Sequence, residues 1–171
     1  MTLAVLNHSL IYGGILSGLM FLFIVGSMMF NPELWINDYP PDIRQKYGPV
    51  SEQTVKTRKW FGIIMLVIMG GVILADALTV PTASGDKASF LVTLRSTYIV
   101  FLIGSLMDLL VIDLLLGMVI RPKFMVLKGT EGAEGYKDVK FHFNAFLRGA
   151  FSGAVFCLIL TAVAQLILLV A

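Results

Sequence analysis

The chain has 171 residues, of which 57% are hydrophobic and 14% charged. Soluble domains carry about 25% charged residues, so this composition excludes an ordinary soluble domain and predicts a single membrane domain. A net charge of +2, with no basic, aromatic-rich surface, offers nothing to nucleic acid. The single cysteine, Cys157, excludes an intrachain disulfide and a cysteine-based metal site, and its apolar surroundings predict an inert buried residue.

Taken in chain order, the first apolar run reaches Phe30. Met1 to Ser9 holds no Lys or Arg and no small-residue cleavage pattern follows, which predicts a retained span over about 10–30 rather than a signal peptide. His8 and Tyr12, one turn apart at its start, read as interfacial anchors. Gly14 and Gly18 form one GxxxG step, suited to close packing or a dimer face.

Residues 31–59 form a long loop rich in helix punctuation. Asn31 and Pro32 predict a capped turn, and Pro40-Pro41 with Gly48-Pro49 bracket a short helix. Its aromatic residues, with Trp35, Tyr39 and Tyr47 as loop anchors, are too apolar for a free loop, so the segment should lie at the membrane surface or under the bundle. Ser51 is expected to cap the second long helix, whose span covers about 61–79, with Trp60 at the interface. Asp86 is a plausible cap for the third helix. That helix is read as one tilted, protruding segment whose span covers 96–120, since no Gly or Pro breaks it near Arg95. The second long loop, 121–144, is turn-rich through Gly129, Gly132 and Gly135, and Phe124 to Leu127 read as a short strand or an apolar patch under the bundle. The fourth span covers about 145–170, with Ala145, Gly149 and Gly153 as a small-residue stripe.

The fold class is therefore an all-α membrane protein, an up-down four-helix transmembrane bundle with two structured cytoplasmic loops. Loop one and the start of the second long helix carry Arg44, Lys46, Lys56, Arg58 and Lys59. The second long loop and the start of the fourth helix carry Arg121, Lys123, Lys128, Lys137 and Lys140. The middle connection has only Lys87, with Arg95 beyond it. The positive-inside rule then puts both long loops in the cytoplasm and both termini outside a cell (cytoplasmic) membrane.

Intramembrane charge supplies the candidate site. Asp108 and Asp113 interrupt the third span, and a carboxylate there costs at least ~2.5–3.5 kcal/mol unless it finds a partner, a cavity or water. Asp113 lies eight residues before Arg121, and Arg148 eight residues after Lys140, each about 12 Å from the same end. Equal depth predicts an Asp113–Arg148 pair, either a structural salt bridge or the floor of a cavity. Asp108, near mid-membrane with no cation at its depth, is expected as a neutral hydrogen-bonded acid or as a proton or cation site. Five α-helical positions separate the two acids by about 140°, which argues against a shared small metal ion, so no metal site is assigned. Asp76 and Arg95 are expected to pair near the outer face, as structure. His142 suits proton transfer at the cytoplasmic interface.

Two stretches, NPELWINDYPPDI at 31–43 and KGTEGAEGYKDVKFHF at 128–143, the second preceded by Arg121-Pro122-Lys123, resemble a family of uncharacterised prokaryotic four-span membrane proteins. The resemblance implies that the two loops act together; it implies no activity or cofactor.

Three functions fit. The first is binding or transport of a small ligand or ion through an intramembrane site of Asp108, Asp113, Arg148 and His142, which in a four-span protein calls for a homodimer. The second is a membrane enzyme using His142, Asp138, Asp38, Asp42 and Tyr39, with Arg148 holding an anion. The third is an accessory subunit of a membrane complex, docked through its aromatic loops.

Overall fold

The computed structural model describes residues 2–84 and 89–170. Four helices long and apolar enough to cross a membrane dominate it: α1 (Leu3–Phe30), α3 (Glu52–Ser84), α4 (Phe90 onwards to Ile120) and α5 (Val139–Val170). A short helix, α2 (Pro41–Tyr47), lies in the first loop. No strand occurs among the described residues, and the chain is an all-α membrane bundle.

The helices begin and end where their punctuation directs. Thr2 caps α1 through the Val5 amide, and Asn31 caps the Pro32–Asp38 turn through the Glu33 amide. Ser51 accepts from Thr54 N at 3.1 Å at the start of α3. Gly48, at φ 88°, ends α2 in a conformation that favours glycine. The expected cap of the third long helix, Asp86, and Lys87 of the middle connection lie outside the described residues; Ser89 caps α4 through the Val92 amide. All four helices run one or more turns past the spans expected from hydropathy, as 28 to 33 residues at 1.5 Å each exceed a ~30 Å hydrocarbon core.

The long loops lie at one end and dock on each other. Gly135 N donates to Asp42 Oδ2 at 2.8 Å, and the Tyr39 hydroxyl donates to the Met125 carbonyl at 2.9 Å. A side chain at 135 would overlap Asp42, so glycine permits this approach. Phe124 to Leu127 form a patch under the bundle rather than a strand, with Met125 and Leu127 buried.

The two ends of the bundle pack differently. The buried residues of α5 are Gly153, at its middle, and Cys157, Thr161 and Ala164 in its distal half. In α3 they concentrate between Ile73 and Val80, with Thr54 alone near the loops. Close packing is thus concentrated at the end away from the loops. Gly153 seats the Phe101 ring, Gly104 seats Leu16, and Gly13 seats Ile103. Towards the loops α3 and α5 bury little of their inner faces, and a cavity lies between them.

Candidate functional site

The loop-side end of α4 departs from the α-helix. From Asp108 to Ile120 it winds as a π-helix, closed by Arg121 in the left-handed region (φ 46°), whose amide donates to the Leu116 carbonyl at 2.8 Å. A π-helix bonds residue i to i+5; it is rare, occurs mostly as single-turn bulges inside α-helices, and is frequent at functional sites. Gly117 fits this winding, because a Cβ there would press to 3.3 Å from the Ile112 carbonyl. The consequence for the acids is direct. Residues five apart, splayed by 140° on an α-helix, come to one side, and Asp108 and Asp113 both line the same cavity.

That cavity has a volume of about 450 Å³. Met20 and Met28 of α1, Met65 and Met69 of α3, and Met125 of the second loop form much of its apolar wall. Methionine is flexible and polarisable, and walls of this kind adapt to more than one ligand shape. Its polar groups are Asp38, Asp108, Asp113, His142 and Arg148, with Tyr39 and Tyr136 from the docked loops. All four candidate residues therefore meet there.

Their pairing differs from the expectation. Asp113 Oδ2 lies 3.0 Å from His142 Nδ1, and Arg148 is exposed at the rim instead of bonded to Asp113. Depth counted inwards from two helix ends presumes helices in register. Here π winding turns Asp113 and α5 buries little of its loop-side half, so the acid meets the histidine instead. The Asp76–Arg95 pair is likewise absent. Asp76 points into the bundle, where it meets His8 Nε2 at 3.3 Å and Ser96 Oγ at 2.9 Å; Arg95, one position from Ser96, is exposed and lies beside Tyr98 and Leu158. His8 and Tyr12, each partly buried, belong with Asp76 to a polar cluster near the start of α1, with Thr79 Oγ1 3.2 Å from His8 Nε2 and 3.1 Å from the Tyr12 hydroxyl.

Asp38 joins the cavity from the first loop. Desolvation of its carboxyl against the protein, and then the Asp113 carboxylate, push it up to about 6, although the residue as a whole stays exposed at the rim. Sequence reasoning placed Asp38 only among enzyme candidates. The signal for its position was the loop's aromatic content, which allowed the segment either the membrane surface or a place under the bundle.

The other enzyme candidates have structural partners. Asp138 accepts from Phe141 N at 2.9 Å as the cap of α5, Asp42 holds Gly135, and the Tyr39 hydroxyl bonds Met125. The loop anchors also turn inwards. Trp35 Nε1 donates to Ser27 Oγ at 2.8 Å, the Tyr47 hydroxyl bonds Glu33, and Tyr39 is buried edge-on against Tyr136. Among the described residues, no group of three or more His, Cys, Asp or Glu side chains is placed to hold a metal ion.

Comparison with known proteins adds no relative: no family model, curated protein or solved structure matches this chain.

Proposed function

We propose that the chain binds a small organic ligand bearing a cationic group in the loop-side cavity, as a binding or transport protein. The observation that carries this reading is the convergence of Asp38, Asp108 and Asp113, from two separate elements, on one methionine-walled cavity of about 450 Å³. Pockets for small molecules are typically ~300–1,000 Å³, mostly apolar, with few polar groups that fix orientation. A bare ion would leave most of this volume unused. Three carboxylates face one histidine, already bonded to Asp113, and one arginine at the rim, so the balance favours a positive guest. An apolar body would lie along the methionines and the cation against Asp108.

On the charge asymmetry of the loops, we assign the cavity to the cytoplasmic face, with both termini outside. A cysteine introduced at Lys128 in the Cys157→Ala background should then resist an impermeant maleimide applied to intact cells.

Thermal unfolding of the protein in lipid nanodiscs, with a panel of primary and quaternary alkylamines and the matching alkyl carboxylates, tests the ligand reading. Amines should raise Tm and carboxylates should not, and Asp108→Asn should remove the response. Stabilisation by carboxylates alone, or an amine response that survives both Asp108→Asn and Asp38→Asn, would contradict it.

A further inference from the structure

The chain has two histidines. Each lies within 3.3 Å of an aspartate inside the bundle, and the two pairs sit at opposite ends: His142 with Asp113 near the loops, His8 with Asp76 near the start of α1. The second pair stands outside the cavity. His8 is five residues into α1 from Leu3, about 8 Å along the helix, and keeps 16% of its side chain exposed; Asp76 behind it has none.

The surroundings of Asp76 are polar but incomplete. Its Oδ1 accepts from Ser96 Oγ, which is itself 2.7 Å from Ser9 Oγ, and lies beside His8 Nε2. Its Oδ2 is buried without a partner. Such an oxygen bears a desolvation cost until something occupies it. The titratable groups around the pair are few. Tyr12 stacks obliquely on His8 from α1, and Cys157 approaches from α5, its thiol donating to the Thr97 carbonyl. α4 brings the hydroxyl of Ser96, while Arg95 is exposed to the side.

We propose that His8–Asp76 is a second proton-binding site, loaded from the face opposite the loops and independent of the cavity. His8 is the exposed member through which a proton arrives. Uptake of one proton takes the pair from neutral imidazole and carboxylate, net −1, to net zero, with no bond other than N–H or O–H formed. Between this site and the cavity, Leu16, Ile73 and Val100 are fully buried and Phe101 nearly so. These side chains, drawn together at Gly104 and Gly153, seal the centre, so each end exchanges protons with its own compartment. The proposal needs no cavity ligand and holds or fails without one.

With two histidines, ¹⁵N-histidine labelling gives two imidazole signals, assigned by His8→Gln and His142→Gln. Solid-state NMR in proteoliposomes sorted for one orientation reads their charge states while the pH on one side is varied between about 5 and 8, the range in which histidine changes charge. The His8 signal should follow the pH on the side of the termini and ignore the loop side. A charge state constant across the range, or one that follows the loop-side pH, overturns the proposal. Asp76→Asn removes the carboxylate beside His8 Nε2, and should displace the His8 midpoint while leaving His142 unmoved. If that variant does not fold, Ser96→Ala, which removes a donor to the same carboxylate, should displace it by less. An unmoved His8 midpoint in a folded variant also overturns the proposal.

Discussion

At the end of the bundle near the termini, Ser9, Ser96, Thr97 and Thr161 are fully buried and bond across helices, Ser9 to Ser96 at 2.7 Å and Thr97 to Thr161 at 3.2 Å. At the loop end, Asp108, Asp113 and His142 are only partly buried and face a cavity. The same four helices make both halves. In the first, glycines let backbones approach until hydroxyls meet, and polar groups serve packing. In the second, the helices stand apart, α4 changes its winding, and charged groups are left addressing space. The difference teaches that an intramembrane polar residue is informative about ligands only when its neighbours leave room.

The largest expected effect comes from closing a contact in the sealed half. A Cβ at Gly153 would fall 2.1 Å from the Phe101 ring, whereas at Gly149 nothing lies within 4 Å. Gly153→Ala should cost about 1–3 kcal/mol through overpacking. Gly149→Ala should stay within about 0.5 kcal/mol. Unfolding in detergent by denaturant or heat compares them, and equal losses would erase the distinction between the halves.

Tyr136→Phe probes the docked loops that floor the cavity. The Tyr136 hydroxyl accepts from Leu127 N at 3.0 Å and lies 2.7 Å from Thr130 Oγ1. Its loss leaves a buried amide without a partner, at a cost of about 1–3 kcal/mol. Limited proteolysis should then cut the second loop sooner than in the parent protein. Tyr47→Phe removes the bond to Glu33 at a half-exposed site, and about 1 kcal/mol is expected in the same unfolding assay.

How far this contrast could be read from the sequence depends on what sets it. The helices and their caps at Asn31 and Ser51 follow from local chemistry, and the aromatic content of the first loop leaves it either at the membrane surface or under the bundle. Depth puts Asp113 and Arg148 at one level but sets Asp108 apart; only the π winding brings the two acids to one side. The partners follow from neither. Which face Asp113 presents depends on π winding, for which DLLVIDLLLGMVI carries no marker beyond Gly117. The choice of His8 over Arg95 for Asp76 depends on a rotation of 100° between Arg95 and Ser96, fixed by packing across three helices.

A smaller effect is the pH response of Asp38. Its carboxyl sits at about 6, above the ordinary 3.8, so the folded state holds its proton more tightly than the unfolded chain. Stability from this group is therefore greatest below about pH 4, falls as pH rises to about 6, and is constant above. Solvent at the rim screens part of it. The Tm of the parent protein minus that of Asp38→Asn should decline across this window and be flat above it.

Thiol accessibility tests the contrast most directly. Cys157 is fully buried in the sealed half, and Ser105 lines the cavity. In nanodiscs, a charged, water-soluble methanethiosulfonate should leave the parent protein unmodified and add to Ser105→Cys once per chain, as counted by intact mass. Modification of Cys157 in the folded protein, or a Ser105→Cys variant that stays unreacted, would contradict an open loop-side half set against a sealed distal one.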